Sequence, residues 1–131
     1  MADGSGMPVT LALGRSAQSG NYTLTAAWQT IYSDSDTAPY IFYGGQVDLS
    51  NMVDGDVVDV RVRKTMASGG AWITISQISY AGLRPIGNKA ISIASIVDVY
   101  GLEVSIRQSL VFANFIVISA EWFPGKRPLG V

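Results

Sequence analysis

The chain has 131 residues, of which 48% are hydrophobic and 15% are charged, and its formal net charge is −1. This length fits one domain with its own core, and the charge balance lacks the basic surface that nucleic-acid binding needs. Cysteine and histidine are both absent, which excludes disulfides, thiolate sites, the commonest general base and the usual zinc ligand.

Residues 1–20 are rich in glycine and serine and are predicted to form a flexible N-terminal arm. Within this arm, Val9, Leu11 and Leu13 alternate with smaller residues, as in a short strand. Such a strand pairs with a sheet edge, either in its own subunit or in a neighbouring one. These three residues are therefore candidate assembly contacts. The sequence contains no apparent secretory signal, and no apolar run has the ~18 residues of a membrane-spanning helix.

The clearest strand pattern covers residues 57–64. Three valines occupy alternate positions of this strand, and charged residues occupy most positions between them. Because successive side chains of a strand face opposite sides, the pattern predicts one buried face and one solvated face. The buried positions are Val58, Val60 and Val62, and the solvated positions are Asp59, Arg61 and Arg63. Similar patterns predict strands at residues 21–32, 40–49, 71–80, 89–96, 102–108 and 115–122.

Three details of these strands carry further predictions. The pair Gly44-Gly45 predicts a bulge or a sharp bend within its strand. The apolar alternation slips between Ile75 and Ile78, and a bulge near Ser76-Gln77 would restore a common face. Trp28 falls on the apolar side of the first strand and is predicted to lie in the core.

About eight short strands without a helix predict an all-β fold, in which two antiparallel sheets form a sandwich. A jelly roll or a similar Greek key is the expected topology. The domain is predicted to span residues 21–123. Residues 124–131 form a C-terminal tail, because the prolines in it cannot continue a strand ladder.

No pattern in the sequence indicates catalysis. Asp34 and Asp36 resemble the start of a calcium loop, but the glycine and the closing glutamate of that loop are missing, so turn chemistry explains them better. Asp54 and Asp56 match no metal-binding spacing either. A serine nucleophile would lack an activating histidine, and no pair of facing carboxylates stands out. We expect no enzyme activity, no cofactor and no metal.

Two parts of the chain carry a family resemblance. The segments are Val47-Asp48-Leu49-Ser50-Asn51-Met52 with Gly55-Asp56 and Val58-Asp59-Val60, and Tyr100-Gly101-Leu102-Glu103-Val104-Ser105-Ile106-Arg107-Gln108-Ser109. They resemble small all-β virion proteins of archaeal and bacterial viruses, of the decoration or minor capsid type, over about half of the chain. The resemblance implies a structural role in the virion, contacts between copies and with other capsid subunits, and no catalysis.

A different class of function stays open from the residues themselves. Many β-sandwich modules bind carbohydrates or receptors, and sugar-binding ones present aromatic rings to the ligand. The candidate aromatic contact residues are Trp72, Tyr80, Tyr100 and Trp122. If these rings form a row on one open face, the pattern favours sugar binding, and if they are buried or lie between subunits, it favours assembly.

Overall fold

The structure is a computed structural model that describes residues 15–34, 40–67, 69–82, 90–98 and 100–125. These residues form nine strands in two antiparallel sheets, and they contain no helix. The predicted all-β, two-sheet sandwich is confirmed. The strands are β1 (Gly20–Thr23), β2 (Gln29–Asp34), β3 (Tyr40–Asp48), β4 (Val57–Thr65), β5 (Trp72–Ala81), β6 (Ala90–Ile93), β7 (Ile96–Asp98), β8 (Leu102–Leu110) and β9 (Val117–Pro124).

The strands pair in a nested order. One sheet has the order β1-β9-β3-β6, with β7 also paired to β3, and the other has the order β2-β8-β4-β5. Thus β1 pairs with β9, β2 with β8, β3 with β6 and β7, and β4 with β5. Strands β1 and β2 consequently form one side of the sandwich, and β5 and β6 form the opposite side.

The core lies between the two sheets and is built around three aromatic rings. The ring of Tyr32 lies 4.8 Å from that of Phe42 and 5.7 Å from that of Trp122, measured between centroids. The alternating positions predicted to face inward are buried, which confirms the two clearest strand patterns. They are Val58, Val60 and Val62 on β4, and Leu102, Val104 and Ile106 on β8.

Both predicted bulges are present. The pairing of β3 with β9 changes register between Phe42 and Gly45, and Gly44 has a φ of 98°. A Cβ atom on Gly45 would lie 2.3 Å from the ring of Trp122, so the strand passes the core tryptophan only without a side chain there. On β5, the pairing with β4 skips Ile75, which brings the isoleucines on either side of the slip to a common face.

The predicted strand at residues 21–32 is wrong in its middle. The chain leaves β1 after Thr23, crosses to the other sheet and enters β2 at Gln29. Because the alternation does not continue through this crossing, Trp28 is not in the core. Its ring is half-buried on the outer face, with its centroid 4.2 Å from the guanidinium carbon of Arg61 and 4.4 Å from that of Arg107.

One other predicted strand is divided in the structure, and one set of predicted contacts lies outside the described residues. The strand expected at residues 89–96 is divided into β6 and β7, which pair with different parts of β3. The candidate contacts Val9, Leu11 and Leu13 lie outside the described residues, as does most of the predicted C-terminal tail. The chain before β1 is described from Arg15 onward, and there the backbone N–H of Ser16 donates to the carbonyl of Trp122 at 2.8 Å.

Candidate assembly surface

Strand β5 is a long, uncharged sheet edge. It has ten residues, none of them acidic or basic, and it pairs with β4 on one side only among the described residues. Its isoleucines Ile73, Ile75 and Ile78 are each about half exposed, at 49%, 46% and 50%. Edge strands are usually protected from further pairing by charges, prolines or bulges. Here the bulge at Ile75 is the only such device on the strand.

An apolar groove opens between β5 and the strands β6 and β7 of the other sheet. It has a volume of about 280 Å³. Valines of β4 contribute to its lining, together with isoleucines from both edges. The apolar residues of this lining are Val60, Val62, Ile75, Ile78, Tyr80, Ile93, Ala94 and Ile96. The core is therefore incompletely covered at this side of the sandwich, where β5 has no outer strand among the described residues.

A second apolar surface lies at one end of the sandwich, and we call it the apolar tip. Its most exposed side chain is Phe112, which is 72% exposed and lies two residues after the end of β8. The apolar tip consists of Val53, Leu110, Val111, Phe112 and Phe115. These exposed large apolar side chains come from the end of β8, the loop after it and the turn before β4, and such a cluster is typical of a contact surface.

A buried hydrogen-bond network fixes the shape of the apolar tip. Gln108 Nε2 donates to Asp56 Oδ1 at 3.1 Å and to the carbonyl of Asn114 at 3.2 Å. Gln108 Oε1 accepts from the N–H of Ile116 at 2.9 Å, and Asp56 Oδ1 accepts from the N–H of Phe112 at 2.9 Å. Because Gln108 and Asp56 are both buried, these bonds hold the loop in one conformation and satisfy its polar groups.

The charged face of β4 is less solvated than its pattern predicts. Asp59 is only 4% exposed, and its carboxylate accepts from Arg107 Nε at 2.7 Å and from the Ser79 hydroxyl at 2.6 Å. Four residues further along the same two strands, β4 and β8, Arg63 Nε donates to Glu103 at 2.9 Å. The prediction of a fully wet face is therefore wrong for Asp59, since β5 and β8 flank it on both sides.

The surroundings of these groups change their pKa values. Burial raises the pKa of Asp59, but the hydrogen bonds from Ser79 and Arg107 outweigh it and hold the pKa below its usual value. Burial also raises the pKa of Glu103, but the hydrogen bond and the positive charge of Arg63 outweigh it, so this pKa is lowered as well. Burial, with the positive charge of Arg63, lowers the pKa of Arg61. The ionic groups of this face thus interact with one another, with neighbouring serine hydroxyls and with the rings of Trp28 and Trp72.

The four aromatic residues predicted as contacts do not form a row. Trp72 is 38% exposed and lies on β5, with its ring 5.7 Å from the guanidinium of Arg63. Tyr80 lines the groove, and Tyr100 is half-buried after β7. Trp122 is fully buried between the sheets, so its prediction as a contact residue is wrong. Of the four residues, Trp72 is the most exposed.

Sequence reasoning missed the apolar tip, because the segment after residue 109 resembles an ordinary chain reversal. A signal was nevertheless present. The run Leu110-Val111-Phe112, followed closely by Phe115, places large apolar residues where a turn normally has polar ones. An apolar turn of this kind indicates either a buried loop or a contact surface. Here the apolar side chains of the turn are exposed, as in a contact surface.

Comparison with models of protein families, with curated proteins and with solved structures finds no match for this chain. Within the described ranges, no three aspartate or glutamate side chains gather as a metal site would require. The same ranges include no helix long and apolar enough to cross a bilayer. A functional assignment therefore depends on the chemistry of the two apolar surfaces.

Proposed function

We propose that this chain is a non-enzymatic structural protein of a virus particle, which forms or decorates the shell through contacts between its own copies and with other capsid subunits. The observation that carries the proposal is strand β5. A ten-residue edge without a charge, beside an open apolar groove, is a surface on which other strands add readily. In an assembled shell, such an edge is covered by a neighbouring subunit.

The apolar tip supports the same proposal independently. Protein interfaces are enriched in aromatic anchors that are held rigid before binding, because a rigid anchor loses little entropy on contact. Phe112 fits this description, since its own N–H is tied to the buried carboxylate of Asp56. A shell subunit needs at least two contact surfaces to extend an assembly beyond a pair, and the edge of β5 and the apolar tip are two distinct ones.

The nested strand pairing supports a jelly-roll form of the sandwich. In that fold two Greek keys interleave, and the first strand pairs with the last, as β1 pairs with β9 here. The topology alone does not select a function, because jelly rolls occur in capsid proteins and in lectins alike. The surfaces favour the capsid class, since a sugar-binding face would have several exposed rings side by side, whereas Trp122 is in the core.

The proposal is tested on particles from the organism that encodes the chain. Its particle fraction is separated on a density gradient, and the chain is quantified by mass spectrometry in every fraction. We expect the chain to comigrate with particles that contain nucleic acid, in a fixed ratio to the most abundant shell protein. Recovery of the chain only as free protein at the top of the gradient would contradict the virion role.

A further inference from the structure

We infer that the groove beside β5 is filled by the N-terminal segment of a second copy of this chain, which adds as a strand to the β5 edge and lays Val9, Leu11 and Leu13 into the groove. This inference deepens the proposed function and rests on it, because it names the partner and the segment that make the contact between subunits. The groove is formed by described residues. The segment proposed to fill it, with Val9, Leu11 and Leu13, lies outside them and is known from the sequence.

The groove selects for a chain that is apolar and extended. Its walls carry isoleucines from both sheets, including Ile78 from β5 and Ile93 from β6. The outer backbone of β5 has no strand partner within the described ranges, so it offers a ladder of hydrogen-bonding groups to an incoming strand. Because β5 has no charged side chain, it gives no electrostatic preference to a charged segment. The matching occupant is therefore a neutral strand with one apolar face.

The segment at residues 8–13 has that pattern. Val9, Leu11 and Leu13 alternate with Thr10 and Ala12, so in a strand the three larger side chains share one face. The segment carries no charge, and Pro8 stands at its beginning, which is the position that a strand tolerates. A strand on the edge of β5 would thus direct one row of side chains into the groove and leave the small residues outside.

The position of Arg15 shows that the segment must come from another copy. Arg15 Nε lies 3.1 Å from Glu121 Oε2, and the following N–H bonds to the carbonyl of Trp122, on the side of β9 that faces β1. Leu13 is two peptide units earlier, a reach of at most about 7.6 Å. The groove lies beyond β9 and β3, three strand spacings or about 14 Å away. A chain therefore cannot place Leu13 in its own groove.

Cysteine cross-linking tests this contact, and the natural chain contains no cysteine that would interfere. A full-length Leu11→Cys chain is mixed with a full-length Ile78→Cys chain, and the mixture is treated with a short bismaleimide. The control mixture pairs Leu11→Cys with Ser50→Cys, since Ser50 is exposed on the turn after β3 and does not line the groove. We expect a product of twice 14.0 kDa that joins one chain of each kind, formed at least tenfold faster than in the control mixture.

Each other result overturns the inference in a different way. Products that join two Ile78→Cys chains would show that β5 of a second copy covers the edge. In a chain with both cysteines, a cross-link whose yield does not depend on concentration would place the segment in its own subunit. Light scattering on the same samples separates the two proposals. Oligomers without the Leu11–Ile78 product contradict this inference alone, and a monomer at every concentration contradicts the assembly function as well.

Discussion

Asp59 and Arg107 are directly paired across β4 and β8, and Arg107 Nε donates to Asp59 Oδ2 at 2.7 Å. The carboxylate is 5% exposed, whereas the arginine side chain is 33% exposed. Removal of the arginine would leave a buried carboxylate without a cationic partner, with the hydroxyls of Ser79 and Ser109 as its remaining side-chain donors. We therefore predict that Arg107→Ala lowers the free energy of unfolding by about 2–3 kcal/mol.

The matched control for this pair is Arg15→Ala, which removes the ion pair between Arg15 and Glu121. That pair is exposed on both sides, with side-chain exposures of 58% and 40%, and its loss is expected to cost less than about 1 kcal/mol. Urea denaturation followed by tryptophan fluorescence measures both variants. Equal losses in the two variants would show that the Asp59–Arg107 pair is not protected from solvent.

Asp59 also predicts how stability depends on pH. Its pKa is lower in the folded chain than in the unfolded one, because the hydrogen bonds from Ser79 and Arg107 outweigh burial, which acts in the opposite direction. The stability that this group supplies is present in full above about pH 5 and is lost as the pH falls through the folded pKa. In denaturation curves from pH 7 to pH 2.5, Asp59→Asn should show a smaller acid-induced loss than the natural chain. An unchanged pH slope would contradict the lowered pKa.

Val60 tests which face of β4 is buried. It is 4% exposed and lies between Ile78 of β5 and Ile106 of β8. Val60→Asp would place a charge among apolar side chains, and we expect it to lower the free energy of unfolding by about 3 kcal/mol or more. The control is Val53→Asp at a position that is 49% exposed. If thermal unfolding of Val60→Asp matches that of the control, the assignment of faces on β4 is wrong.

Gln108 tests how the apolar tip is held. Gln108→Leu has a similar size but removes the acceptor of the Ile116 N–H and the donor to Asp56. Buried groups that lose their partners should lower the free energy of unfolding by about 2–4 kcal/mol. Gln46→Leu, which removes an exposed bond to Glu121, should change it by less than about 1 kcal/mol. Hydrogen exchange should also quicken at Phe112 and Ile116 in Gln108→Leu, and protection as in the natural chain would contradict this role.

Local alternation predicted the sheets well where a strand stays within one sheet. Val58 on β4 and Leu102 on β8 belong to inward faces that follow from period two. The pair Gly44-Gly45 predicted the bulge on β3. Alternation failed at Trp28, because the chain changes sheets between residues 24 and 28. Inward and outward positions do not alternate regularly across that connection. The burial of Asp59 was also beyond local reasoning, since it depends on two neighbouring strands that are distant in sequence.

The candidate surfaces were harder to predict than the fold. The sequence contains the uncharged run of β5, but only the strand order places that run at an edge rather than in the middle of a sheet. The groove depends on side chains from four strands, including Val62 and Ile96, and no sequence pattern brings these together. Trp122 was predicted as a surface contact, because it is a large aromatic residue near the end of the chain. In the structure its ring is buried and completes the core.

The proposed assembly depends on the edge of β5, which is expected to hold copies of the chain together. Ile78→Lys changes this edge, and Ile41→Lys makes the same change at an equally exposed position on β3, since both isoleucines are 50% exposed. Sedimentation velocity is measured for the natural chain and both variants across a concentration series. We predict that the natural chain and Ile41→Lys sediment as oligomers and that Ile78→Lys sediments as a folded monomer of 14.0 kDa. Oligomers of the same size in all three samples, or a monomeric natural chain at the highest concentration, would contradict the claim.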